Sequence, residues 1–402
     1  MRVAIVGAGL GGLCLAQGLR RHGIEATVYE HDDALDSRGQ GYRLHLEAGE
    51  ALHSCLSPDL YELCVATSGR PSTRLTVIRG DSMRIVHQHG GSAPADGYDP
   101  LDPRTLSTSV NRQTFREVLA ARLDDAVVFG RTCTGFEQDG SGVRVHFAHD
   151  APDATADLLV AADGVHSVIR RQYLPHARIE TTPALCVFGR TPLTDDSRPL
   201  IPAYTWEGFT GVAGPRVGLA AGVLDFREAP PAAAARIAPD VELTAVQPYL
   251  MWAVTGSRRR LRGRLDPADP AALNAAAASA IRSWHPDLRR LVELAAAEET
   301  MLTPIRTSVP IGPWPTTRVT LLGDAIHAMS PARGSGANTA LRDAAVLAAE
   351  LGAARRGEKP VLQAVHDYEQ RMIEDGFAAV EASRRANRSW LASTLSAALG
   401  RR

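Results

Sequence analysis

The feature of this sequence that most constrains its fold is a glycine-rich turn set between two apolar runs. The first run, Val3–Val6, has the uniformly apolar, β-branched character of a strand that is buried on both faces. The turn has the spacing G-x-G-x-x-G, with Gly7, Gly9 and Gly12. Helical spacing of apolar residues follows, and the second run ends at Glu30, about 20 residues further on. This strand–turn–helix–strand pattern predicts a parallel α/β sheet.

Each glycine in the turn has a separate physical role. Gly7 permits the tight turn, Gly9 lets the backbone approach a pyrophosphate, and Gly12 lets the helix pack closely on the strand. The N–H groups at the helix start form an anion site, which comprises Gly7, Gly9, Leu10, Gly11 and Gly12. Glu30 is placed to accept hydrogen bonds from ribose hydroxyls, and it would repel a 2′-phosphate. The pattern therefore favours FAD or NAD over NADP, the alternative being a glycine-rich turn that binds no ligand.

Composition excludes several other classes of protein. The 402 residues include 44 basic and 45 acidic side chains, with no basic stripe that would favour nucleic acid. Five scattered cysteines form no C-x-x-C pair, which argues against zinc and a disulfide framework and favours a cytoplasmic protein. Arg2 before an apolar run imitates a signal peptide, but glycines interrupt that run. We expect neither a bound metal nor a membrane-crossing segment.

The order of the predicted elements indicates two interleaved domains. Alternating strands separated by Gly and Pro fill the middle of the chain, and strong helical periodicity runs from Thr339 to about Ser383. We also expect a helix that begins at Ser109–Arg112, a strand over Tyr204–Val212, and a flexible loop over 90–103. We expect a FAD-binding domain in three parts, 1–72, 102–182 and 301–402. A substrate domain in two parts, 73–101 and 183–300, would lie between them in sequence.

Two later motifs also follow predicted strands. One is Ala162–Arg170, which contains the pair Asp163-Gly164, and the other is Leu322–Pro331, which contains Gly323-Asp324. A glycine-rich turn, Gly334–Asn338, comes directly after the second motif. Ligands collect at the carboxyl ends of strands in open α/β sheets. Both motifs are therefore candidate ligand sites.

Together with the N-terminal turn, these motifs resemble the class A flavoprotein monooxygenases, the para-hydroxybenzoate hydroxylase-like group. The resemblance covers nearly the whole chain, in the order and spacing of that family. It implies a Rossmann-type parallel sheet with a β-meander that binds FAD, a smaller middle substrate domain on an antiparallel sheet, and C-terminal helices.

The resemblance also implies roles for single residues. Glu30 would bind the adenosine ribose, Arg112 would reach the flavin side of FAD, and Asp324 would bind the ribityl chain. Asp163 and Gly164 would form the D-G pair linked to FAD and NAD(P)H, although a turn aspartate that caps a helix is the alternative for Asp163. The residues beside the isoalloxazine ring would be Pro331, Gly334, Gly336, Ala337 and Asn338. Backbone N–H groups at this helix start would stabilise negative charge on the reduced flavin.

Several side chains have two open interpretations. Arg43 and His45 share one face of a predicted strand and would contact substrate, contact FAD or face solvent. His327 is either a proton donor or a buried histidine with satisfied hydrogen bonds. Arg333 places a cation where the family has small or neutral residues. Four aromatic side chains would line a substrate pocket or belong to the sheet core, namely Trp206, Phe209, Tyr249 and Trp252.

The chemistry that the resemblance implies is oxygen transfer. NADH or NADPH reduces the flavin, O₂ adds to give a C4a-hydroperoxide, and one oxygen atom passes to a small aromatic or polyketide-like substrate of secondary metabolism. The rivals are a flavin-dependent halogenase, a flavin-dependent reductase and a non-redox FAD scaffold. Trp206-Glu207-Gly208 does not match the W-x-W-x-I-P signature of the halogenases, which also carry a tunnel lysine.

Overall fold

The computed structural model describes residues 1–35, 42–71, 74–90, 99–261, 263 and 265–398, without the side chains of 332 and 387–398. Most of the predicted loop over 90–103 lies outside these residues. The strands are β1 (Arg2–Val6), β2 (Glu25–Tyr29), β3 (Arg43–Leu46), β4 (Arg74–Arg79), β5 (Ile85–His89), β6 (Thr108–Asn111), β7 (Val127–Val128), β8 (Cys133–Gln138), β9 (Val143–Phe147), β10 (Ala154–Ala156), β11 (Leu158–Ala161), β12 (Ile179–Pro192), β13 (Gly208–Ala213), β14 (Gly218–Leu224), β15 (Tyr249–Ser257), β16 (Met301–Ser308) and β17 (Val319–Leu321).

The α-helices enclose the sheets. They are α1 (Leu10–Arg21), α2 (Gly49–Cys55), α3 (Pro58–Ala66), α4 (Arg112–Ala120), α5 (Val168–Tyr173), α6 (Ala203–Trp206), α7 (Pro230–Ile237), α8 (Pro270–Ala280), α9 (Pro286–Glu293), α10 (Asp324–His327), α11 (Ser335–Arg355) and α12 (Val361–Ala398). Among the described residues, no helix combines the length and the apolar character that a membrane span requires.

A parallel sheet of five strands forms the first layer, in the order β17-β11-β1-β2-β7. Its central strand β1 is buried from Val3 to Val6, as the uniformly apolar run predicts. Helix α1 follows the glycine turn and packs against α11, and α11 packs in turn against α12. The predicted Rossmann-type sheet and C-terminal helices are confirmed. The predicted meander is also confirmed, since β8, β9 and β10 form an antiparallel sheet.

A second, larger sheet has seven strands in the order β16-β12-β15-β14-β13-β4-β5. It is antiparallel except for the parallel pair β4 and β13. Apolar side chains on one face pack with α8 and α9 around Trp252 and Trp284. The other face carries a separate apolar cluster built on Tyr249 and Met251. Two-residue periodicity in β15 explains this division.

The strand pairings extend the large sheet slightly beyond the predicted substrate domain. Strand β12 begins at Ile179 and β16 covers Met301–Ser308, so both lie partly or wholly outside 183–300. The division into domains stays a prediction.

Two local predictions were wrong. Residues Thr108–Asn111 form a strand, and the helix begins only at Arg112. The Asn111 side chain caps this helix, because it accepts hydrogen bonds from the N–H groups of Gln113 and Thr114. Residues Ala203–Trp206 form a helical turn after Pro202, and the strand begins at Gly208. The pattern of β-branched and aromatic residues alone did not reveal these boundaries.

Candidate cofactor site

The sequence motifs meet at one edge of the parallel sheet. Val6, Ala161 and Leu321 lie side by side in the register of β1, β11 and β17. Each of them directly precedes one motif: the glycine turn, the D-G turn or the G-D turn. Tyr29 pairs with Val6 on the other side, and Glu30 follows it. Segments that are separated by up to about 300 residues in sequence therefore share one carboxyl edge.

The glycines of the first turn divide into packing glycines and an open one. Gly7 has a φ of +109°, and a Cβ there would lie 2.3 Å from the Ala162 carbonyl oxygen. A Cβ on Gly12 would lie 2.1 Å from the Gly7 carbonyl oxygen. At Gly9, by contrast, a Cβ would meet no atom within 4 Å. The fold itself requires Gly7 and Gly12, whereas Gly9 leaves space in front of the first turn of α1.

Glu30 is buried and braces the glycine turn. One carboxylate oxygen accepts a hydrogen bond of 2.7 Å from the Ala8 N–H, and the other accepts one of 3.0 Å from the Asp32 N–H. Buried Arg116 lies 3.7 Å from the same carboxylate and donates to the Ala8 carbonyl oxygen at 2.9 Å. His31 Nδ1 also lies 2.7 Å from this carboxylate, so about three of its roughly four acceptor positions are used and one remains for a ribose hydroxyl.

The D-G turn places a carboxyl next to open space. Asp163 Oδ2 accepts a hydrogen bond of 3.0 Å from the Val168 N–H, so the helix-capping interpretation holds for that oxygen. The other oxygen, Oδ1, is buried and has no hydrogen-bond partner among the described residues. Burial raises the pKa of this carboxyl. Gly164 has a φ of +73°, and a Cβ there would meet nothing within 4 Å.

The G-D turn leaves the side chain of Asp324 exposed, although Gly323 and Ala325 on either side of it are buried. Enclosure by the surrounding protein raises the pKa of its carboxyl, while the charges of His327 and Arg112 act in the opposite direction. Arg112 Nη1 is buried without a hydrogen-bond partner in the described part of the chain.

Behind this turn, His327 is fully buried and forms a close pair with Asp343. The distance from His327 Nε2 to Asp343 Oδ2 is 2.5 Å, and the same oxygen accepts a hydrogen bond of 3.1 Å from the Gly323 N–H. Of the two interpretations of His327, the buried and hydrogen-bonded one fits Nε2. Its other ring nitrogen, Nδ1, has no partner among the described residues.

The turn before α11 is clasped to β3. Asn338 Nδ2 donates to the His45 carbonyl oxygen at 2.9 Å, and Asn338 Oδ1 accepts from the Glu47 N–H at 2.8 Å. A Cβ on Gly334 would lie 3.6 Å from His45 Cβ, and one on Gly336 would lie 3.9 Å from Asp324 Oδ1. The glycines therefore keep this turn close to both β3 and Asp324. Pro331 and Arg333 are exposed at the outer end of the turn, and Ala337 is half-buried within it.

The two candidates on β3 reach different places. Arg43 is 5% exposed, donates from Nε to the Val223 carbonyl oxygen at 3.1 Å, and lies 5.9 Å above the Phe209 ring. Burial lowers the pKa of its guanidinium to about 10. His45 is half-buried and lies 2.7 Å from the Glu47 carboxylate. Arg43 thus faces the large sheet, and His45 faces the start of α11.

The four aromatic candidates also separate. Phe209 and Tyr249 lie in the cluster on the sheet face next to β3, with Tyr42, Phe188 and Met251. Trp252 is 1% exposed in the core against α8 and α9, and Trp206 packs on that same cluster. For Trp252 the sheet-core interpretation is therefore correct. Burial raises the pKa of Tyr249 to about 12, and its hydroxyl accepts a hydrogen bond of 3.1 Å from Asn111.

These residues fit a dinucleotide such as FAD. Space lies in front of Gly9 and Gly164, and two buried polar atoms, Asp163 Oδ1 and Arg112 Nη1, have no partner in the described chain. Buried polar atoms are nearly always hydrogen-bonded, so the two unpartnered ones indicate an interacting group. Asp324, on which the charge of Arg112 acts, adds an accessible acceptor.

Two supporting residues escaped the sequence analysis, since Arg116 braces Glu30 and Asp343 holds His327. Arg170, the last residue of the D-G motif, was given no role there. It donates from Nη1 to the Ala325 carbonyl oxygen at 2.8 Å and so ties the helix after the D-G turn to the G-D turn. A charged residue on the apolar face of a predicted helix was the available signal for Arg116 and Asp343. Their partners became apparent only from the tertiary structure.

Two family models match the chain. A model described as an FAD binding domain matches residues 295–375, and one described as an NAD(P)-binding Rossmann-like domain matches residues 5–48. The first covers the G-D turn and the glycine turn at α11, and the second covers the N-terminal turn and Glu30.

Relatives and solved structures agree with these models. The chain is 30% identical to 3-amino-4-hydroxybenzoate 2-monooxygenase of Streptomyces cremeus, over 92% of this chain and 82% of that protein. It is 32% identical to the dual O-methyltransferase/FAD-dependent monooxygenase CTB3 of Cercospora beticola, over 92% of this chain. This chain spans only 44% of CTB3, less than half its length. A crystal structure from Photorhabdus luminescens, described as an FAD containing monooxygenase, superimposes with a TM-score of 0.80 at 29% identity and 99% coverage of both chains.

Proposed function

Since this chain belongs to the family of FAD-dependent monooxygenases, we propose that it uses FAD, NADH or NADPH, and O₂ to transfer one oxygen atom to a small organic substrate. The observation that carries this proposal is the register of β1, β11 and β17. That register brings three motifs and Glu30 to one edge, where a single elongated dinucleotide can contact all of them.

In this proposal the chain's own residues bind and orient the cofactor. The α1 start and Glu30 hold the pyrophosphate and the adenosine ribose, while Asp324 accepts hydrogen bonds from the ribityl hydroxyls. Arg112 and Asp163 each have a buried polar atom without a partner among the described residues, and in this proposal both would bind the cofactor. The first turn of α11 supplies N–H groups and a favourable helix dipole for negative charge on the ring. When bound, FAD supplies the redox and oxygen chemistry.

The substrate would lie against the large sheet. Tyr42, Phe188, Phe209 and Tyr249 offer an apolar, aromatic face, and Arg43 lies beside Phe209 as a buried cation. Such a face suits a planar aromatic or polyketide-like substrate. The names of the relatives agree with this, since one acts as a 3-amino-4-hydroxybenzoate 2-monooxygenase. Arg43 is our candidate for the residue that orients an electron-rich or anionic ring substituent.

The position of the lysine side chain does not support the halogenase alternative. The sequence contains one lysine, Lys359. Its amino group is 2.6 Å from Glu350 and 2.7 Å from Asp367, at the junction of α11 and α12. A catalytic lysine would have to face the flavin and the substrate, and an ammonium paired with two carboxylates is not a reactive amine.

The decisive experiment measures oxygen insertion directly. The purified protein should retain FAD, oxidise NADH or NADPH faster when a phenolic substrate is added, and yield a product that carries one ¹⁸O atom from ¹⁸O₂. Reduction of the flavin without oxygen in the product would favour a reductase. Bound FAD that is never reduced would favour the scaffold alternative, and failure to bind FAD would refute the proposal.

Two further expectations belong to this proposal. All five cysteines are free and buried, which agrees with a cytoplasmic location. We also infer that FAD lies in the domain of residues 1–72, 102–182 and 301–402, and that its flavin ring is the part that meets the large sheet.

A further inference from the structure

The His327–Asp343 pair lies directly behind Asp324, and the proposed function gives it no role. Asp324 and His327 are the first and last residues of α10, three apart, so their side chains neighbour each other on the helix surface. His327 is 0% exposed, and its ring packs so closely on α12 that a Cβ on Gly376 would lie 2.5 Å from it. Among the described residues, Asp343 alone holds the ring by a side-chain hydrogen bond.

The charges of this group are interdependent. Burial alone lowers the pKa of His327, but the negative charge and hydrogen bond of Asp343, helped by Asp324, outweigh burial and raise it. The pKa of Asp324 is raised by burial, and the positive charges of His327 and Arg112 limit that rise. The positive charges of His327 and Arg112 therefore favour the ionised form of Asp324.

Other titratable and charged groups lie on elements that contact α10 or act on its residues. Those on the packed elements are Asp163 and His166 of the D-G turn, Arg306 of β16, and Tyr368 and Glu369 of α12. Arg170 of α5 and Asp343 of α11 reach α10 by hydrogen bonds, and Arg112 of α4 acts on Asp324 by its charge. Tyr368 donates its hydroxyl hydrogen to the Leu321 carbonyl oxygen, and Arg170 bonds the Ala325 carbonyl oxygen, so both brace the turn. Of the carboxylates in this set, Asp343 is the one within hydrogen-bond distance of His327.

We propose that His327 and Asp343 form a positioning pair for Asp324, in which the imidazolium that Asp343 anchors keeps the Asp324 carboxylate ionised as an acceptor for the ribityl hydroxyls. This inference rests on the proposed function, because the ribityl chain belongs to FAD. Asp343 also fixes the backbone of the turn through the Gly323 N–H, so one carboxylate sets both the position and the charge of the site. Without the imidazolium, Asp324 takes up a proton at higher pH and loses its charged acceptor.

The first test needs no cofactor. The apparent pKa of Asp324 is measured by carboxyl carbon NMR in the FAD-free protein and in the His327→Gln variant, whose amide retains a donor toward Asp343 but carries no charge. We expect the Asp324 midpoint to rise by about one pH unit in the variant. His146→Gln, which alters a histidine on β9 at the other end of the sheet system, is the matched control and should leave the midpoint unchanged. An unchanged midpoint in His327→Gln would overturn the proposal.

The second test measures the dissociation constant of FAD by flavin fluorescence between about pH 5 and pH 9. On acidification, the affinity of His327→Gln for FAD should fall at a pH about one unit higher than that of the wild type. At the lowest pH, the loss of affinity should be about tenfold. A purely structural role would instead weaken binding by the same factor at every pH. In an Asp324→Asn background, His327→Gln should leave the pH profile unchanged. A parallel offset, or an equal effect in that background, contradicts the inference.

A replacement keeps the test decisive if His327→Gln does not fold. Asp343→Asn preserves the imidazole but removes the charge that keeps it protonated, so the pH profile should move in the same direction. Circular dichroism establishes that each variant is folded. If the wild type binds no FAD, the proposed function fails, and the NMR result still decides whether the pair governs Asp324. If the wild type binds FAD and the profiles are parallel, the inference alone fails.

Discussion

The carboxyl edge of the parallel sheet and the aromatic face of the seven-stranded sheet are the two walls of the proposed site, and their residues are specified differently. At the edge, Gly7 and Gly12 are required because a Cβ on either residue would lie less than 2.5 Å from a backbone carbonyl oxygen. The shape of the turn therefore follows from local chemistry. On the face, Phe209 and Tyr249 are distinguished from Trp252 only by the side of the sheet on which each lies. The edge suits one constant cofactor, and the face can vary with the substrate.

The strongest contrast is expected between Trp252 and Phe209, on opposite faces of one sheet. Trp252→Ala removes a fully buried ring and should lower the free energy of unfolding by about 4 kcal/mol. Phe209→Ala should lower it by only about 1 kcal/mol, because the ring is half-buried, but should raise the KM for an aromatic substrate about tenfold. Urea unfolding and steady-state kinetics measure the two effects. Equal loss of stability would remove the distinction between the faces.

A similar contrast applies to two arginines of α4. Arg116→Met leaves the buried Glu30 carboxylate without its cation, and we expect a loss of about 3 kcal/mol in the free energy of unfolding. Arg112→Met removes a guanidinium that neighbours Asp324, so it should weaken FAD binding with little effect on folding. Chemical denaturation and FAD titration separate the two. A stable Arg116→Met variant would show that Glu30 does not depend on its cation.

The glycine turn gives a matched pair of smaller changes. Gly12→Ala places a methyl group against the Gly7 carbonyl oxygen and should destabilise the fold by about 2 kcal/mol. Gly9→Ala should change stability by less than about 0.5 kcal/mol but weaken FAD at least about tenfold, because its methyl group occupies the open space. Thermal unfolding and FAD titration provide the readouts. Normal FAD affinity in Gly9→Ala would mean that no pyrophosphate approaches there.

The smallest effect concerns pH and the core behind the edge. Glu369 is buried, and burial raises its pKa despite hydrogen bonds from Thr316, Thr320 and Trp314. Because the folded pKa exceeds the unfolded one, about 4.3, its stabilising contribution is complete at lower pH and is lost as pH rises through the folded pKa.

Relative to Glu369→Gln, the wild type should therefore become less stable between about pH 4 and pH 8, by about 1 kcal/mol. Denaturant unfolding at each pH measures the difference between the two proteins, in which the contribution of His327 cancels. A wild type that gains stability over the variant as pH rises would show that the hydrogen bonds dominate.

The motifs and their order are readable in the amino-acid sequence. G-x-G-x-x-G, the D-G pair and the G-D pair are local patterns, since a turn that needs glycine needs it whatever the rest of the chain does. Apolar runs and helical periodicity also predicted the parallel sheet and the C-terminal helices, and the family resemblance implied the meander. The caps were harder to predict, because two hydrogen bonds to the Asn111 side chain cap the start of α4.

The contacts between side chains, by contrast, became apparent only in the folded chain. Arg116 with Glu30, Arg170 with Ala325, and His327 with Asp343 are contacts between elements that are distant in sequence or that approach only when helices pack. The separation of Arg43 from His45 has the same origin, since Arg43 contacts Val223 of β14 whereas His45 lies next to Gly334, the residue before α11. Local patterns specify the shape of a turn, whereas charge pairing and the facing of a sheet depend on the packing of the whole chain.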